Sequence, residues 1–183
     1  MKKIIIIIIL ITIVSTMKDI VKQELVIIPK ESIRLRVIAN SDSDDDQKLK
    51  MKVTENLEKN INSILLNSKT IEQSRENLNK HMLTINNNVK TTLEQENCNL
   101  EYEISFGKNY FPEKKYKGVV YKEGNYESLV VTLGKGHGKN FWCVLFPPLC
   151  LLDEKSSNEK IEYHFLVTDI LNKYKKTAKK NIK

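Results

Sequence analysis

The chain has 183 residues, 40% of them hydrophobic, with a formal net charge of +7 and a pI of about 9.2. That is enough apolar material for one domain around a single core. The positive balance suits an anionic neighbour such as a lipid surface or nucleic acid, or solubility alone; aromatic residues make up only 7%, which argues against a surface that stacks single strands.

Lys2 and Lys3 precede an apolar run from Ile4 to Val14. This is the layout of a secretory signal, and the run is too short to span a bilayer as a stable helix. Ser15 and Thr16 follow without a clean cleavage motif, so residues 1–16 read as a signal peptide or a short membrane anchor. Residues 17–31 read as a mobile lead, 32–175 as a single α+β domain and 176–183 as a basic tail. Within the domain, Ile33, Leu35, Val37 and Ala39 alternate with Arg34, Arg36, Ile38 and Asn40, the period of a strand. Ser43, with Asp46 three residues on, starts a helix: the pair resembles a capping box, and the acidic first turn suits the helix dipole. Leu49, Val53, Leu57 and Ile61 form its stripe. Thr70 with Gln73 starts a second helix, striped by Ile71, Leu78, Met82, Ile85, Val89 and Leu93.

After Cys98 the period returns to two. Leu100, Tyr102, Ile104 and Phe106 alternate with polar residues, and Tyr116–Tyr121 with Tyr126–Leu133 reads as a hairpin around Glu123-Gly124-Asn125. The stretch Gly134–Leu152 then holds the chain's one Trp, two of its three Cys, two of its four Pro and three of its six Gly. Its Gly-rich half can only be a loop. Phe141–Phe146 reads as a strand buried on both faces, with Trp142 in the core by default. Pro147 and Pro148 end it. A last helix from about Glu159 carries Tyr163, Val167, Ile170 and Tyr174. The expected architecture is a mixed or antiparallel sheet of about five strands with helices packed on one face.

No motif for a cofactor, a metal or catalysis stands out. The spacings of Cys98, Cys143, Cys150, His81, His137 and His164 fit neither C-x-x-C nor H-E-x-x-H. Asp42, Asp44, Asp45 and Asp46 lack the Gly and terminal Glu of a calcium loop. Lys135-Gly136-His137-Gly138-Lys139 is not a P-loop, although its N–H groups and two ammonium groups are of the kind that cradle an anion. Cys143 and Cys150 flank the Pro-Pro break. Two readings stand, a disulfide and a pair of buried thiols, and the Cα separation decides between them. The loop is longer than a tight hairpin needs and cannot add much to a core. Lys135, His137 and Lys139 are therefore candidates for contact with a partner, with Asn40 and Asp42 next.

Two segments together carry a resemblance. One is Arg34 to Ser43, RLRVIANSDS, continued by Asp46-Gln-Lys-Leu-Lys; the other is Gly138 to Cys150, GKNFWCVLFPPLC. With Tyr110-Phe111-Pro112 and Gly124–Leu129, they resemble the stage II sporulation protein R family of endospore-forming bacteria, although Phe141-Trp142 stands where the family pattern has two adjacent Trp. The resemblance implies a protein made in the forespore and secreted into the intermembrane space facing the mother cell. There it activates a membrane-embedded aspartic protease that matures pro-sigma-E. It implies a signal rather than an enzyme, with no active site to carry over. Other classes the residues allow are a secreted or cell-envelope hydrolase built on Cys or Asp, and a wall- or lipid-binding module.

Overall fold

The computed structural model describes residues 26–116, 119–150 and 167–174. The expected export segment, the start of the last helix and the basic tail lie outside the described residues. In chain order the elements are β1 (Val26–Ile27), β2 (Ile33–Ile38), α1 (Asp44–Leu65), α2 (Ile71–Lys80), α3 (Met82–Gln95), β3 (Tyr102–Phe111), β4 (Lys114–Tyr116), β5 (Val119–Tyr121), β6 (Gly124–Leu133) and β7 (Asn140–Phe146). Residues 167–174 form a further helix, α4. No helix among the described residues is long and apolar enough to cross a membrane.

Four strands make one mixed sheet in the order β3-β6-β2-β7. The central pair, β2 and β6, is parallel, with Ile33 opposite Glu127 and Ile38 opposite Thr132. The outer strands are antiparallel to their neighbours. A second sheet has the order β1-β5-β4. The architecture is α+β, as the sequence implies, with seven described strands in two sheets rather than about five in one. The hairpin expected around Glu123–Asn125 does not form. β5 pairs with β4 and β1, whereas β6 pairs with β3, Phe111 lying opposite Gly124. The chain leaves the main sheet after β3, makes the small sheet, and returns.

Alternation puts Ile33, Leu35 and Val37 of β2 and Leu129, Val131 and Leu133 of β6 on one face. Val53, Leu57 and Ile61 of α1, Leu78 of α2, and Ile85, Val89 and Leu93 of α3 bury against them in one cluster. Each such side chain contributes roughly 1.5–3 kcal/mol on burial. A register shift where β7 meets Ile33 and Arg34 brings Leu145 and Phe146 together into the same cluster, as a bulge does. A smaller cluster joins Ile28, Val119, Val144 and Leu149 to Val167 and Leu171 of α4. The described part of the expected mobile lead is thus built into the fold: Ile28 is 2% exposed, and its N–H donates to the Val120 carbonyl at 3.0 Å.

Both helix starts are capped as their sequences predict. Ser43 Oγ accepts from Asp46 N–H and Thr70 Oγ1 from Gln73 N–H, each at 3.2 Å. The stripe predicted after Thr70 is divided between two helices, because His81 leaves helical geometry at φ −105° and ψ 15°. Arg75 of α2 grips Glu127 at the start of β6 with two bonds of 2.6 and 2.8 Å, and these bonds raise the guanidinium pKa above its ordinary value.

Candidate functional site: the corner at the end of the central strands

β6 and β7 are not neighbours, since β2 lies between them. The Gly134–Lys139 loop must therefore arch over the end of β2, and this topology accounts for the length that a hairpin would not need. The loop is locked rather than loose. Lys135 N–H donates to Asn40 Oδ1 at 3.0 Å and Lys139 N–H to Asp42 Oδ1 at 2.7 Å. Between them, Gly136, His137 and Gly138 donate to the carbonyls of Leu133, Asn40 and Ala39. All five N–H groups are thereby used internally, so the anion cradle considered from sequence is not formed by this backbone. Gly138 is needed for close approach: a Cβ there would lie 2.1 Å from the Ser41 carbonyl oxygen.

The β2 side of the corner is bonded as firmly. Asp46 Oδ2 accepts from Ser41 Oγ at 2.5 Å and from Asn40 Nδ2 at 2.9 Å. These bonds, the one from Ser41 foremost, hold the carboxyl below the ordinary Asp pKa. Asp46 thus turns back past Ser43 to brace the turn, a departure from a closed capping box. The buried Lys50 donates to Gln47 Oε1 at 2.7 Å and to the Lys139 carbonyl at 3.2 Å. Burial lowers its pKa, against a smaller opposing pull from Asp42. The fold gathers Asn40, Asp42, Lys135, His137 and Lys139 in this one corner. Asn40 and Asp42 use their side chains to hold it, whereas the Lys135, His137 and Lys139 residues are exposed.

The sheet face turned away from α1–α3 carries a cation–aromatic arrangement that sequence reasoning did not anticipate. Arg34 is 2% exposed, its guanidinium carbon 3.3 Å from the Tyr126 ring centroid and 5.2 Å from that of Phe111. Trp142, expected in the core, lies half-buried on this face, edge-on to Phe111 at 5.0 Å. The Arg36 guanidinium carbon is 4.7 Å from its ring centroid. The opposite parity of Arg34, Arg36 and Trp142 was the available signal. The structure joins Cys143, midway along β7, to Cys150 beyond its end, with Cα atoms 5.6 Å apart.

The Stage II sporulation protein R family model matches residues 29–156, a span holding the corner, the cation–aromatic face and both cysteines. The chain belongs to the stage II sporulation protein R family. It is 44% identical over 128 residues to the Stage II sporulation protein R of Bacillus subtilis (strain 168), covering 70% of this chain and 57% of that relative. The chain thus aligns with little more than half the length of that relative. No solved structure matches. Family membership places the chain among sporulation proteins, and the matched segment includes all five corner residues.

Proposed function

We propose that this chain is an exported signalling protein of sporulation that activates a membrane-embedded aspartic protease, and so drives maturation of pro-sigma-E. Family membership over residues 29–156 carries the reading. The Lys2–Val14 segment supports export from the forespore into the intermembrane space, with the protein either released there or tethered by its anchor. The corner supports docking: a fixed backbone displays Lys135, His137 and Lys139, so little loop entropy is lost on binding. The ammonium groups of Lys135 and Lys139 suit an acidic rim on the protease or the anionic lipid beneath it.

The test is co-expression with the protease and pro-sigma-E in a host that does not sporulate. Processing that requires this chain supports the assignment, and processing without it removes it. Changing Lys135, His137 and Lys139 together to Ser should leave the circular dichroism and melting temperature intact while lowering processing. Full processing by the folded triple variant moves the docking face elsewhere.

A further inference from the structure

The disulfide has a neighbour that the sequence did not suggest. Glu58, on α1, stands against it: one carboxylate oxygen and the two sulfurs all lie within 4.8 Å of one another. Three features hold this triangle independently of the S–S bond. Cys143 is fixed in β7, opposite Leu35 of β2. Cys150 is fixed by its own turn, where the Val144 carbonyl accepts from both Leu149 N–H at 3.1 Å and Cys150 N–H at 3.2 Å, and Leu149 is buried in the smaller core. Glu58 follows Leu57, a fully buried residue of a long helix. Cys150 Sγ also lies 3.1 Å from the Val144 carbonyl oxygen, where a thiol has an acceptor waiting. Reduction therefore frees two sulfurs that remain side by side with a carboxylate above them.

We propose that the reduced protein binds one zinc-class divalent cation through Cys143, Cys150 and Glu58, with water completing the site. Two sulfurs and one carboxylate suit Zn2+ better than Ca2+ or Mg2+. Zn–S bonds of about 2.3 Å at a tetrahedral angle place the sulfurs a little under about 4 Å apart. From the roughly 2 Å of a disulfide, that is a small side-chain movement. A dithiol reductant supplies two electrons and two protons; the S–S bond breaks, two thiols form, and the reductant closes into its own disulfide. The cation then displaces one proton from each thiol, and each thiolate lone pair makes a metal–sulfur bond. Disulfide and metal exclude each other because each takes both sulfurs. All three residues are partly exposed, so reductant and ion have access.

The test uses the full chain, reduced with dithiothreitol, desalted anaerobically and titrated with Co2+ as probe. The expected result is one equivalent bound with a sulfur-to-cobalt charge-transfer band, displaced by Zn2+, and no band from the unreduced protein. Cys143→Ser and Cys150→Ser should each lose tight binding. Glu58→Gln should weaken Co2+ binding by about tenfold or more, with the circular dichroism unchanged. Cys98→Ser should bind as wild type. A reduced protein without the band overturns the proposal, as does a Glu58→Gln variant that titrates like wild type. Loss of the band in Cys98→Ser would place the ion elsewhere and overturn it too.

Discussion

Leu35 and Arg34 are neighbours in β2 and almost equally buried, at 0% and 2% exposure, yet the two faces of the sheet bury them by different physics. Leu35 meets the apolar stripes of the helices. Arg34 takes a full charge out of water and sets it on the rings of Tyr126 and Phe111. Among the described residues its Nε and one terminal nitrogen, Nη2, find no hydrogen-bond partner. Burial lowers its pKa, partly offset by Tyr126. Strand alternation sorts side chains between faces; it does not decide which face meets water.

The largest expected effect tests the helix-covered face. Leu129→Ala should cost about 2–5 kcal/mol in denaturant unfolding, and Val130→Ala, one residue on and facing the other way, less than half of that. Equal losses would mean that both faces are packed alike. Next is the corner, where the two faces end together. Gly138→Ala should cost about 1–3 kcal/mol as the strand ends are forced apart; a melting temperature equal to wild type would show that the corner yields.

The buried cation comes next. The unfolded state holds the Arg34 proton more tightly than the folded state, so its desolvation counts against folding at every pH below the lowered folded pKa, and stability is regained only in strong alkali. Arg34→Met should therefore be at least as stable as wild type at neutral pH. A loss of more than about 2 kcal/mol would mean that the cation–aromatic contacts outweigh desolvation. The smallest effect is at Asp46, where solvent screens the charge. Asp46→Asn should cost about 0.3–1 kcal/mol at neutral pH. The folded pKa is depressed, so this contribution is complete above the ordinary Asp value and is lost as pH falls through the folded one. The melting curves of variant and wild type should converge in acid; a gap that persists there would mean that the charge plays no part.

Local chemistry was legible in the sequence. Ser43 and Thr70 declare themselves as caps because the bond each makes is three residues away. The stripe of Leu78, Ile85, Val89 and Leu93 points to one core even though His81 breaks the helix. Partner choice was not legible. Glu123-Gly124-Asn125 has turn composition, but composition cannot show that β6 bypasses β5 and pairs with β3. The same gap affected the corner. From sequence, the length of Gly134–Lys139 beyond a tight hairpin pointed to contact with a partner, whereas β2 between β6 and β7 demands that length. Glu58 was invisible as a companion of the cysteines, because nothing local links a helix residue to a strand so distant in sequence.

The parallel pairing of β2 with β6 has a consequence for the order in which the chain can fold. β2 lies near one end of the domain, yet both its strand partners, β6 and β7, come after three helices and the small sheet. Ile33 must wait for Glu127 and Phe146, and a sheet whose centre depends on such distant contacts closes slowly. α1 to α3 can form early from local contacts, but their apolar stripes have no floor until β6 and β7 arrive. A chain cut short before β6 would hold helices over an unpaired central strand, and its exposed stripes would favour aggregation over a smaller folded domain.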